Sequence, residues 1–195
     1  MIFGLLALSS CGGAGTVVDD HYYRLITEPN IPVAKSPSLD GLLVVQQFTA
    51  DGPHSGRAIV YSRVDEPMEL HSYRYHFWTE PPARLIQQQL VRSLRQAKVA
   101  QASHQQDPAL REDYTLVGHL QRFEIVRSPT EPSAVVVMEV SLLKRGQSRP
   151  LMAQTYTAEV EIEGGSVSSG VVALTRALVQ VQRALIKDIK GLSGP

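Results

Sequence analysis

The chain has a single cysteine, Cys11, among its 195 residues, so no intramolecular disulfide can brace the fold. It carries no net charge, with 19 lysines and arginines against 19 aspartates and glutamates. That balance excludes a protein that holds nucleic acid mainly by neutralising phosphates, and no nucleic-acid partner is expected. No apolar run approaches the roughly 20 residues that a membrane-spanning helix requires, so no transmembrane anchor is expected.

The spacings that carry catalysis are also missing. The six histidines, at positions 21, 54, 71, 76, 104 and 119, form no HExxH pattern. His71 and His76 stand five apart on one expected strand and so fall on opposite faces, which argues against a zinc site. Ser55-Gly56 and Ser169-Gly170 lack the GxSxG setting of a nucleophile elbow. Gly164-Gly165 lacks the flanking pattern of a phosphate loop and reads as a turn. Glu159, Glu161 and Glu163 alternate along an expected strand, where solvated carboxylates guard a sheet edge. No enzyme, cofactor or metal is expected.

What the chain does have is concentrated between Ser72 and Leu94. Tyr73, Tyr75, Phe77 and Trp78 crowd into six residues, and a pleated strand accommodates them. Thr79-Glu80-Pro81-Pro82 follows, with Thr79 expected as a helix N-cap and the prolines in a first turn that needs no N–H partner. Ile86, Leu90 and Leu94 then recur at helical spacing up to about Lys98. The cluster reads as a strand turning into a helix, either a core corner or a ligand-binding wall.

Around this corner the chain alternates runs of strands with helices. Strands are expected at Tyr22–Ile26, Leu42–Phe48, Ala58–Tyr61 and Met68–Phe77, the neighbours in sequence pairing antiparallel. Three prolines make residues 28–39 an extended loop. A polar loop is expected over residues 102–111. The apolar phase of the strand from Tyr114 switches between Leu120 and Phe123, which predicts a bulge at Gln121-Arg122. Ala134–Leu143 and Leu151–Ile162 pair next, with Thr155, Thr157, Glu159 and Glu161 facing water. A last helix is expected from Ser168 or Ser169 to Lys190, its stripe formed by Val171, Leu174, Leu178, Val181, Leu185 and Ile189. The expected fold is an α+β two-layer sandwich: a mainly antiparallel or mixed sheet with two long helices on one face, in strands-helix-strands-helix order.

The amino terminus reads as an address. Met1–Ala7 is short and apolar and leads into Leu8-Ser9-Ser10-Cys11-Gly12, which resembles the bacterial lipobox. That resemblance implies that Cys11 carries acyl chains such as palmitate and that cleavage occurs just before it. Residues 1–10 are then a lipoprotein signal peptide, and their lack of Lys and Arg suggests a start further upstream. Residues 11–20 form the lipidated tether and residues 21–191 a single domain. Gly12 after the cysteine implies the outer membrane. Residues 57–98 carry seven basic and four acidic groups, whereas residues 1–56 carry two and five; the basic side chains form no run and read as a solvated scatter.

Taken together, the lipobox, Tyr22-Tyr23-Arg24-Leu25, Ile59-Val60-Tyr61, the Tyr75-His76-Phe77-Trp78-Thr79-Glu80-Pro81-Pro82 junction and the Ala173-Leu174-x-x-Ala177-Leu178 helix resemble the ABC-type transport auxiliary lipoproteins. The resemblance implies a non-enzymatic lipoprotein on the periplasmic face of the outer membrane, able to self-associate. It implies partners in an MCE-domain protein and an ABC permease and ATPase that move lipids or other hydrophobic compounds between membranes. The alternatives are a lipid carrier with a groove lined by Tyr73, Tyr75, Phe77 and Trp78, and an envelope-assembly lipoprotein.

Overall fold

The computed structural model describes residues 18–192. In chain order the elements are β1 (His21–Tyr23), β2 (Leu39–Val45), β3 (Thr49–Ala50), a one-turn 3₁₀ segment (Gly52–Ser55), β4 (Ala58–Arg63), β5 (Glu66–Trp78), α1 (Pro82–Gln96), β6 (Ala100–Gln105), β7 (Tyr114–Arg127), β8 (Ser133–Lys144), β9 (Met152–Glu161) and α2 (Val167–Gly191). They build one curled mixed sheet and two helices around a single core.

The long strand β7 is the spine. One edge pairs antiparallel with β8, from Tyr114↔Lys144 to Val126↔Ser133, and β8 carries β9. The other edge takes three strands end to end, all parallel to it: β2 on Tyr114–Leu116, β3 on His119–Leu120 and β4 on Glu124–Arg127. Residues 43–63 thus run along β7 as one interrupted strand, broken by the 3₁₀ turn. Past the break the sheet forks, with β6 added to β2 on one wing and β5, then β1, added to β4 on the other.

This arrangement corrects the expectation that sequence neighbours pair antiparallel. It holds for β4–β5, β7–β8 and β8–β9, but β2, β3 and β4 do not pair with one another because each spends its edge on β7. The polar loop expected over residues 102–111 is also corrected, since β6 occupies its first part and runs parallel to β2. As an edge strand β6 buries only Ala100 and Ser103, too few for a legible alternation. Thr79 is not the cap of α1. Its N–H donates to the Tyr23 carbonyl at 2.9 Å, closing the β1–β5 junction, and the cap position falls to Pro81 with no side-chain cap bond. The first strand is shorter than expected, and Leu25 is buried outside it. The bulge does lie between Leu120 and Arg122.

The helices supply the other half of the core. Ile86, Leu90 and Leu94 of α1 and Leu174, Leu178, Leu185 and Ile189 of α2 are fully buried, one stripe on each helix. α2 starts one residue earlier than the expected range, capped by Ser166, whose Oγ accepts from the Ser169 N–H at 3.0 Å. It lies close on the sheet: a Cβ at Gly170 would stand 2.2 Å from Ile125 Cδ1. The helices meet through Ser93 Oγ, which donates to Gln182 Oε1 at 3.4 Å. Tyr156 donates to Asp188 at 2.9 Å, joining β9 to the last turns of α2.

Candidate functional site

The aromatic corner divides between the two faces of β5. Trp78 is buried, with 1% of its surface exposed, and packs on Phe123 of β7 at 5.3 Å between ring centroids. Its N–H donates to the Arg57 carbonyl at 2.7 Å and its carbonyl accepts from Arg57 Nε at 3.2 Å. Phe77, one residue earlier, points to the other face and meets Tyr22 of β1 at 5.8 Å. Tyr73 stands 4.6 Å from Tyr61 of β4, and Tyr75 is only half-buried. The four rings therefore do not line one groove.

Several of these rings join others in a ladder across three strands. Tyr61 stacks on His71 at 5.0 Å and sits under the Arg127 guanidinium at 5.3 Å. Tyr73 meets His76 edge-on at 5.8 Å, and His76 stacks on His21 of β1 at 4.8 Å and on Tyr23 at 5.8 Å. Rings stacked in this way spend their faces on one another, so the ladder zips β1 and β4 to β5 instead of offering a flat platform. The Tyr23 hydroxyl extends it to Ser168 in the first turn of α2, at 3.2 Å, while hydrogen-bonding His76 Nδ1 at 2.9 Å. Burial, with the neighbouring His21, pushes the His76 pKa down. The ladder depends on β1 lying parallel on β5, with His21 opposite His76, which no local pattern announces.

The opposite face of the sheet holds a buried polar knot. Glu124 of β7, 2% exposed, accepts from Ser62 Oγ at 3.1 Å and Arg122 Nη2 at 2.6 Å on one oxygen, and faces His54 Nε2 at 3.2 Å with the other. Burial alone would push this carboxyl up. The hydrogen bonds from His54 and Arg122, the Arg122 charge and the Ser62 hydroxyl more than cancel that, and its pKa falls to about 2. Above the knot is a depression of about 370 Å³, lined by Pro53, His54, Pro67, Met68, Leu70 and Arg122 among others. Met68 is 95% exposed.

That apolar lip lies beside an open strand edge. β1 covers β5 only at His76–Trp78, so among the described residues the stretch 66–75 has β4 on one side and no strand on the other. At its start Glu66, Glu69 and His71 bring one ligand atom each within 4.8 Å of one another. Sequence spacing directed attention to the histidine pairs and missed this group, whose three residues all lie on β5. Arg63 already pairs with Glu66 across that turn, so the group as it stands is a salt-bridged hairpin. Cys11 and the lipobox lie outside the described residues. Among the described residues no helix is long and apolar enough to cross a membrane.

A family model for the ABC-type transport auxiliary lipoprotein component matches residues 23–185. The chain belongs to this family. Its members are auxiliary transport lipoproteins, which fits the lack of any catalytic grouping expected from the sequence. The fold is shared with solved structures of low identity. A crystal structure from Xanthomonas campestris, of a family known only as a domain of unknown function, is 21% identical with a TM-score of 0.76, covering 88% of this chain and 95% of that one. An uncharacterized protein is 17% identical with a TM-score of 0.65, over 88% and 99% of the two chains. A hypothetical protein from Chlamydia trachomatis is 8% identical with a TM-score of 0.52, over 79% and 98%. No curated protein matches.

Proposed function

We propose that this family member is a non-enzymatic lipoprotein, acylated at Cys11, that docks the periplasmic MCE assembly of an ABC-type transport system to the outer membrane. The observation that carries the reading is the family match over residues 23–185 placed directly behind Leu8-Ser9-Ser10-Cys11. Several acyl chains on one cysteine hold a protein on a bilayer stably, at about 0.8 kcal/mol per buried methylene. The domain is then free to face the periplasm. Its docking surface is the open edge of β5 with the Met68 and Leu70 lip, where an extended segment of the MCE partner adds as a strand.

The carrier reading is disfavoured, because Trp78 is buried in the core while Tyr73 and Phe77 stack on rings of β4 and β1. Affinity capture with the wild-type lipoprotein should recover the MCE protein encoded in the same cell, and Met68→Lys on the exposed lip should reduce that recovery without changing the melting temperature. Cys11→Ala should abolish palmitate labelling. Recovery of an outer-membrane barrel without an MCE protein would replace this reading with envelope assembly.

A further inference from the structure

A second surface, formed by α1 and the end of β6, has the chemistry of an anion site. On α1, Gln88, Arg92 and Arg95 stand at i, i+4 and i+7, so their side chains leave one face of the helix. The end of β6 and the residues after it, His104 to Asp107 with Leu110, form the facing wall, and the two enclose a groove of about 500 Å³. This is where part of the basic excess of residues 57–98 comes together.

The charges in the groove are held ready for a ligand. Arg95 is pinned to the β6 wall: its Nε donates to the Ser103 carbonyl at 2.5 Å and its Nη2 lies 3.4 Å from His104 Nδ1. A neutral imidazole that accepts at Nδ1 carries its proton on Nε2, which makes His104 a further donor. Arg92 is exposed and makes no hydrogen bond or ion pair among the described residues. Asp107, the one carboxylate lining the groove, turns its Oδ1 onto the N–H of Ala109 at 2.9 Å. The helix dipole accounts for Arg95 in the last turn of α1, but Arg92 lies outside that turn.

We propose that this groove binds a phosphate ester. Two guanidiniums give the paired, charge-assisted hydrogen bonds that phosphate oxygens take, and the amides of Gln88, Gln105 and Gln106 add neutral donors. The volume exceeds that of a bare phosphate, and Val91 and Leu110 leave room for a small organic substituent of glycerol size. Phosphate of this kind comes from a soluble ester or from a lipid headgroup.

The test uses the full chain carrying Cys11→Ala, so that no acyl chain holds it to a bilayer. Titration with glycerol 3-phosphate, followed by amide shifts, should saturate and move the signals of His104 to Asp107. Arg92→Ala should weaken binding by about tenfold and Arg92→Lys by less, since a point charge replaces a fork. Both variants should melt as the wild type does, because Arg92 has no intramolecular partner to lose. Flotation with phosphatidylglycerol against phosphatidylcholine vesicles separates the sources. Arg92-dependent binding to the former marks a headgroup, and saturation by the soluble ester alone marks a free metabolite. Absence of saturable binding, or equal binding by wild type and Arg92→Ala, overturns the assignment.

Discussion

Replacing Glu124 by glutamine removes one negative charge from the knot under the 3₁₀ turn and keeps its shape. The wild-type carboxyl is held at about 2 instead of its ordinary 4.5, a difference worth roughly 3 kcal/mol of folding stability at neutral pH. The folded pKa is the depressed one, so the unfolded chain binds the extra proton between these two values. The contribution is therefore complete above about pH 4.5 and is lost as the pH falls towards 2. Glu124→Gln should cost roughly 2–4 kcal/mol at pH 7, because His54 and Arg122 then face a neutral amide at a position that is 2% exposed. Urea unfolding followed by the fluorescence of Trp78, the only tryptophan, measures it. Wild type should lose stability more steeply than the variant between pH 4.5 and pH 2, since other carboxylates titrate equally in both. A cost under about 1 kcal/mol at pH 7, or parallel losses in acid, would refute the account of the knot as a net stabiliser.

Trp78→Ala should cost about 3–5 kcal/mol in the same urea assay read by circular dichroism, as the ring is buried against Phe123; unchanged stability with lost partner recovery would return the corner to a binding role. Gly170→Val should lower the melting temperature sharply, because even its Cβ enters the space of Ile125, whereas Gly165→Ala, with open space around it, should not. Ser166→Ala should cost about 1 kcal/mol by leaving an amide of the first turn of α2 without its acceptor; a neutral result would mean that water serves the cap equally well.

How much of this was legible depended on whether the signal was local. The stripe Leu174, Leu178, Val181 and Leu185 specifies α2 because one helix face is buried whatever it packs against. The bulge at Gln121 was legible because the apolar phase must switch when an extra residue enters β7. Strand partners were not legible, since β2 and β4 look like sequential hairpin strands and only β7, some 64 to 71 residues later, shows that they lie end to end. β6 escaped notice because an edge strand exposes most of its side chains. The polar knot escaped because it draws on His54, Ser62 and Glu124, far apart in sequence, and the Arg92 groove because its facing wall is the β6 strand that read as loop; no motif marks either.

The end-to-end seating of β2, β3 and β4 on β7 also sets an order of events. Residues 114–191 form a unit from neighbouring segments, β7, β8, β9 and α2, whose contacts need only short loops to close. The amino-terminal half can close the β4–β5 hairpin from neighbours, but β2, β3 and β4 reach the spine only once β7 exists, and closing long loops is slow. Synthesis delivers that half first and leaves it waiting. Pulse hydrogen exchange during refolding should therefore protect β8 and β9 amides before those of β2 and β4; simultaneous protection would mean that the spine and its parallel strands assemble in one step. A chain whose spine lies in its second half completes its sheet only after most of its length has been made.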